Sequence, residues 1–186
     1  MFTCSLGDGA ELRLPVESDA EELSALVNEN SDYLRKWLPW VDATKTADDT
    51  KVFIKQSRKR FADNNGYDGL IFLENKLVGV IGYHQIDWPS KKTALGYWIS
   101  ENAQGKGLVT RAVRAFLDYG FDSLELNRIE IRCAGSNKSS RAIPERLGFT
   151  HEAICRDGEK LHDRFEDSLV FGMLAEEWKE KRKIEL

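Results

Sequence analysis

Between a strand-like stretch, TALGYWIS at 93–100, and a helix-like one, LVTRAVRAFLDYGF at 108–121, stand only seven residues, ENAQGKG. From Val109 the apolar positions Ala112, Val113, Phe116, Leu117 and Gly120 recur at helical spacing, with Arg111, Arg114 and Asp118 on other faces. Glycines let a backbone turn its N–H groups toward one point, and a helix N-terminus adds partial positive charge. A loop Gln104-Gly105-Lys106-Gly107 in that place suits an anion, most simply a phosphate. A Walker A loop needs Gly-Lys-Ser/Thr, but Lys106 is followed by Gly107; a dinucleotide fingerprint needs a third glycine where Thr110 stands. A plain tight turn before a helix is the other reading of the same residues.

The rest of the chain sets the loop in a mixed α/β order. ELRLP reads as a strand, and SDAEELSALVNEN as a helix with Ser18 and Glu21 at capping-box spacing and Leu23, Leu26 and Val27 on one face. TADDTKVFIKQSRKRFADNN is a second helix with Phe53, Ile54 and Phe61 as its stripe, stopped at Asn65-Gly66. GLIFLENKLVGVIGYHQID gives two strands around Glu74-Asn75-Lys76, and KKTALGYWIS a third after the Trp88-Pro89-Ser90 break. RIEIRCA is a strand, SNKSSRAIPERLG a short helix, and FTHEAICRD and FEDSLVFGML the last two strands. Asn137 and Ser140 fit caps of that short helix, and Pro144 within it predicts a bend or a late start.

A length of 186 residues fits a single domain, and no apolar run approaches the roughly 18 residues of a membrane span. The start MFTCSLGDGAELRLP shows no secretory pattern, so a cytoplasmic location is the expectation. Cys4, Cys133 and Cys155 are odd in number and fall in no metal-ligand spacing, which points to reduced thiols and no metal. A net charge of −4 gives no general attraction to nucleic acid or to an anionic membrane.

The run from YWISENAQGKG to SNKSSRAIPERLGF resembles the GCN5-related N-acetyltransferases (GNAT). Their pattern [RQ]-x-x-G-x-[GA] is met by Gln104 and Gly107, and Val109 departs from its last position. The likeness extends from ELRLP to LVFGML, and LRKWLPW, GYWI and the Asn-x-x-Ser...LGF pattern look most like the RimJ/RimL group of ribosomal-protein N-acetyltransferases. The resemblance implies a mostly antiparallel mixed sheet, splayed in its middle and flanked by about four helices. It implies acetyl-CoA as cosubstrate, with its pyrophosphate on the amides of Gly105, Lys106, Gly107, Leu108, Val109 and Thr110 beside Gln104. The backbone of Tyr97, Trp98 and Ile99 would hold the pantetheine arm, and Asn137 and Ser140 would touch the coenzyme near the thioester sulfur.

A primary amine attacks only as the free base, while its reference pKa is about 8 at a chain terminus and about 10.4 on lysine. Something must take the proton. Glu159, expected in the turn after AICRDG, matches by its distance from Phe149 the glutamate proposed as base in RimL-like enzymes. On its residues alone it reads first as a solvated loop glutamate, and the resemblance is what brings the catalytic role forward. His84 shares strand parity with Val78 and Val80 and is expected either to face the site or to pack in the core; His162 and Asp163 lie near Glu159. Trp37, Leu38, Pro39 and Trp40 read as packing between the first two helices, and the resemblance moves them toward the acceptor wall. Cys133 lies in a predicted core strand without a histidine partner, which favours direct attack over an acetyl-cysteine route.

The expected reaction is therefore acetyl transfer from acetyl-CoA to a primary amine, first of all the N-terminal amine of a protein. Rival readings are a small amine acceptor such as a polyamine or an aminoglycoside-like drug, a non-catalytic acetyl-CoA sensor, and a coenzyme-free interaction protein. A homodimer is implied by the resemblance alone.

Overall fold

A computed structural model describes residues 3–184. The elements follow as β1 (Thr3–Gly7), β2 (Ala10–Arg13), α1 (Ala20–Glu29), α2 (Ser31–Leu34), α3 (Ala47–Ala62), β3 (Asp68–Leu73), β4 (Lys76–Tyr83) and β5 (Lys92–Ile99). After them come α4 (Leu108–Asp118), β6 (Arg128–Ala134), α5 (Lys138–Arg146), β7 (Thr150–Leu161), β8 (Arg164–Leu174) and α6 (Ala175–Ile184). The strands take the order β1-β2-β3-β4-β5-β6-β8-β7, with β5 and β6 parallel and the pairs β1–β2, β2–β3, β3–β4, β6–β8 and β7–β8 antiparallel. This is the mixed, mostly antiparallel α/β architecture expected. The described residues hold six helices where about four were expected, and β1, α2 and α6 are additions to the sequence reading.

The chain forms two compact units, one running to Tyr83 and taking in Tyr97–Ala112, the other made of His84–Gly96 and the chain from Val113 onward. In the first, the apolar runs GLIFL and LVGVI make β3 and β4 buried strands, registered at Leu70↔Val80 and Leu12↔Ile71. Leu23 and Val27 of α1 pack with Leu34, Val41, Leu70, Phe72, Leu77 and Val80, and Trp98 lies half-buried against that cluster.

Thr46 caps α3, its hydroxyl accepting from the Asp49 N–H while the Asp49 carboxylate accepts from the Thr46 N–H at 3.0 Å. The box expected at Ser18 and Glu21 does not form. Glu17–Asp19 wind into a tighter turn ahead of α1, and the Asp19 carboxylate accepts from the Val16 N–H at 2.8 Å. Ser18 is thus inside the turn, away from the extended backbone a cap requires. In α3 Ile54 is fully buried, but Phe61 is exposed and stands edge-on to Tyr67.

In the second unit β6 runs parallel to the first half of β5, from Lys92↔Arg128 to Leu95↔Ile131. Its other side pairs with β8 from Arg128↔Leu174 to Ala134↔Ser168, so β6 continues past its last registered partner on β5. α5 begins directly after Asn137 and runs unbroken through Pro144, so the late start expected from that proline does not occur. The ring costs the helix one N–H to the Ser140 carbonyl, and buried Pro144 returns a carbonyl that accepts from the Phe149 N–H at 2.9 Å. Among the described residues, no helix is long and apolar enough to cross a membrane.

Candidate active site

The glycine loop lies in the first unit. After Ser100 a short turn, Glu101–Ala103, leads to Gln104 in extended backbone, and then Gly105 and Gly107 take φ of +73° and +70°. Those angles select glycine, since L side chains strain there. A Cβ at either glycine would meet nothing within 4 Å, so open space lies over both. α4 begins at Leu108 and its first bond runs from the Arg111 N–H to the Gly107 carbonyl at 3.0 Å. The N–H groups before Arg111 are those a helix start leaves without intrahelical acceptors. Leu108 and Val109 turn their side chains into the core, so the branched residue at 109 does not stand over the loop. Thr110 is half-buried, Lys106 exposed and Gln104 half-buried. The donor set of backbone amides, helix dipole and a nearby ammonium fits a phosphate-type anion. Arg111, one turn into α4, ties the helix to the β1–β2 turn by an ion pair to Asp8 at 2.5 Å.

The same unit carries an aromatic group. Trp98 belongs to β5, and Trp40, about 40% exposed, lies with its ring centroid 6.2 Å from that of Trp98. Leu38 packs against the core cluster, and Trp37 is half-buried nearby in sequence. Tyr97 and Ile99 flank Trp98 on β5, half-buried, and the Ser100 N–H bonds the Val78 carbonyl at 2.8 Å. The Glu101 N–H donates to the Asn30 side chain at 2.9 Å, which fastens the start of the loop to the end of α1. Burial, with the Glu101 charge second, pushes the Tyr33 hydroxyl up from its ordinary range.

The second unit gathers Asn137, Ser140, Cys133 and Glu159. Asn137 caps α5, its side-chain oxygen accepting from the Ser140 N–H at 3.1 Å, as expected of Asn137; Ser140, also expected as a cap, lies inside the helix as the residue capped. The Ser140 hydroxyl is hydrogen-bonded with the Cys133 thiol, buried on β6. Burial first, then the Glu159 charge, lifts that thiol to about 11, against the opposing Ser140 bond and Arg141 charge. A thiol so raised is a poor nucleophile at neutral pH.

Glu159 is not in a turn. It lies in β7, paired across the hairpin with Glu166, and the turn comes later at His162 and Asp163. The ladder breaks between Cys155 and Glu159, where Arg156–Gly158 bulge out, with Asp157 at φ +51° and its N–H donating to Asp167 Oδ1 at 3.0 Å. A Cβ on Gly158 would lie 2.8 Å from the Cys155 carbonyl oxygen, so the bulge needs glycine there. Such a bulge re-aims the residues after it. The Glu159 carboxyl is half-buried, and burial, with Glu166 second, pushes its proton affinity above the ordinary glutamate range.

His84 stands one residue past β4 with an exposed side chain, its ring beside Gly96, where a Cβ would lie 3.0 Å from Nε2. That is not the core position. His162 is half-buried at the β7–β8 turn at φ +57°, three residues after Glu159. Sequence reasoning missed Glu166 and Ser136, whose hydroxyl donates to Glu166 Oε2 at 2.7 Å. Recognising His162-Asp163 as a two-residue hairpin turn would have put Glu166 opposite Glu159.

Residues 10–150 match the family described as Acetyltransferase (GNAT) domain. Among known proteins, the chain is 37% identical to YdaF of Bacillus subtilis (strain 168), described as a candidate ribosomal N-acetyltransferase, over 96% of this chain and 98% of that one. It is 26% identical to the ribosomal-protein-serine acetyltransferase of Escherichia coli (strain K12), over 94% and 97% of the two chains. Among solved structures, the microcin C7 self immunity acetyltransferase MccE in complex with acetyl-CoA and AMP superposes with a TM-score of 0.86 at 30% identity, covering 91% of this chain and 94% of that one.

Proposed function

The chain belongs to the acetyltransferase (GNAT) family, and on that premise we propose that it moves the acetyl group of acetyl-CoA to the N-terminal amine of a protein, with ribosomal proteins as the acceptor class. The observation that carries the reading is the Glu159 carboxyl: half-buried, raised in proton affinity and, among the described residues, without a hydrogen-bond or ion-pair donor. A base poised nearer neutral pH is what an ammonium acceptor demands. The acceptor class is supported by the relatives named for ribosomal substrates and by the exposed Trp40 ring, an aromatic of the kind that anchors protein partners.

We assign the pyrophosphate to the loop from Gln104 to Thr110, whose two left-handed glycines and position at a helix start suit it. The backbone of Tyr97, Trp98 and Ile99 is assigned to the pantetheine arm, and Asn137 fixes Ser140 for the sulfur end. Acetyl-CoA supplies an activated thioester. Glu159 takes the ammonium proton, the freed nitrogen bonds to the acetyl carbon as the carbon–sulfur bond breaks, and the second nitrogen proton passes to the departing thiolate, which Ser140 steadies, leaving the amide and the free coenzyme thiol. Cys133, whose buried thiol is raised to about 11, is not assigned the role of nucleophile. We place the protein in the cytoplasm, since Cys4, Cys133 and Cys155 are all free thiols, as a reducing compartment keeps them.

The test is acceptor competition: one reaction containing a serine-initiated peptide, the same peptide with a blocked N-terminus, spermidine and an aminoglycoside. Acetylation of the unblocked peptide alone is expected. Acetylation of the small amines in preference to it would overturn the acceptor assignment.

A further inference from the structure

Glu159 and Glu166 oppose each other across the β7–β8 hairpin, two residues in from the turn. Directly opposed carboxylates repel, so the pair lowers its energy by keeping a proton on one member. Their surroundings are unequal. Both oxygens of Glu166 are taken: Oε1 by Arg164 Nε at 3.0 Å, Oε2 by the Ser136 hydroxyl at 2.7 Å. Among the described residues nothing donates to Glu159.

We propose that Glu166 is a positioning residue that makes Glu159 the proton acceptor of the pair. This rests on the reading of Glu159 as the base. Pairs whose environments differ in this way divide their roles, one member held by its donors and the other open to exchange protons. The other groups around Glu159 leave that division intact. From β6 comes the neutral Cys133 thiol; Arg141 of α5, whose charge reaches that thiol, is paired with Glu145 at 2.6 Å. Arg164 of β8 is spent on Glu166, and the Lys160 ammonium lies over the Phe165 ring at 5.8 Å. The Ser136 bond adds geometry to charge: Ser136 directly precedes Asn137, the cap that holds Ser140, so Glu166 ties the start of α5 to the strand facing Glu159.

The experiment is a carbon-13 NMR titration of labelled glutamate carboxyls, with Glu159 assigned by its loss in Glu159→Gln. It is run beside pH profiles of kcat/KM on a peptide acceptor. In Glu166→Gln the Glu159 carbon should titrate about one pH unit lower. The acid limb of the profile should move with it, and the KM for acetyl-CoA should stay unchanged. Glu166→Asp should restore most of the shift. Ser136→Ala, which leaves both charges in place, should give a smaller displacement in the same direction and serves if Glu166→Gln does not fold. An unmoved Glu159 titration in folded Glu166→Gln and Ser136→Ala overturns the inference while leaving the base reading standing. Wild-type turnover in Glu159→Gln instead overturns the base reading, and the role of Glu166 falls with it.

Discussion

The Trp40 ring leans on the Trp98 ring at 6.2 Å with an interplanar angle of 51°, and Trp98 in turn packs against the core of its unit. An exposed aromatic is thus held in place by a half-buried one. Trp40→Ala should raise the KM for a peptide acceptor several-fold at unchanged KM for acetyl-CoA, with a stability loss under about 1 kcal/mol. Trp98→Ala should cost about 2–3 kcal/mol, because it empties space the core has closed over. Steady-state kinetics and thermal unfolding of the two variants separate these effects. A strong loss of melting temperature in Trp40→Ala with untouched acceptor kinetics would make Trp40 a packing residue.

The loop glycines are set by φ rather than by crowding, which separates backbone strain from blockage of the anion. Gly107→Ala should cost about 1–2 kcal/mol for a side chain at positive φ and weaken coenzyme A binding moderately. Gly107→Glu carries the same strain and adds an anion where the pyrophosphate is assigned, so its affinity for coenzyme A should fall far further. Calorimetry with coenzyme A measures both, and equal affinities would remove the loop from the phosphate site.

Gly158 has the opposite problem, close approach at the bulge. Gly158→Ala would press a methyl against the Cys155 carbonyl and shift Glu159, which follows it directly. Turnover should fall at least tenfold with little change in coenzyme A affinity. Wild-type turnover in this variant would show that the bulge does not aim Glu159.

Thiol chemistry checks the second unit independently. Cys133 is buried and its thiol is raised to about 11, so at pH 8 about a thousandth of it is thiolate. Iodoacetamide should label the exposed Cys4 and Cys155 and spare Cys133 in the folded protein, with peptide mass mapping as the readout. Prompt alkylation of Cys133 would contradict its burial beside Ser140.

Much of this arrangement is legible in the sequence. The loop showed because two glycines between a strand and an amphipathic helix have few uses, and Asn137 showed because a cap is a local bond. What stayed hidden was set by contacts distant in sequence. α6 has no apolar stripe beyond Trp178, and it is held by Trp178 Nε1 donating to Asp118 at 2.8 Å and by Arg182 bridging Asp118 and Asp122. The middle of β7 is polar, and three bulged residues break its alternation, so Glu159 read as a loop residue. Its partner Glu166 emerged only from the register.

The reaction assigned to this chain is acetylation of protein N-termini with Glu159 as the base. Its most direct test is a cell lysate treated with isotopically labelled acetyl-CoA and the protein, followed by mass spectrometry of intact proteins and their N-terminal peptides. Labelled acetyl groups are predicted on α-amines, ribosomal proteins foremost, with Glu159→Gln slower by about 10²- to 10⁴-fold at neutral pH and partly rescued as pH rises. Label confined to lysine side chains or small amines, or transfer by Glu159→Gln at the wild-type rate, would contradict it.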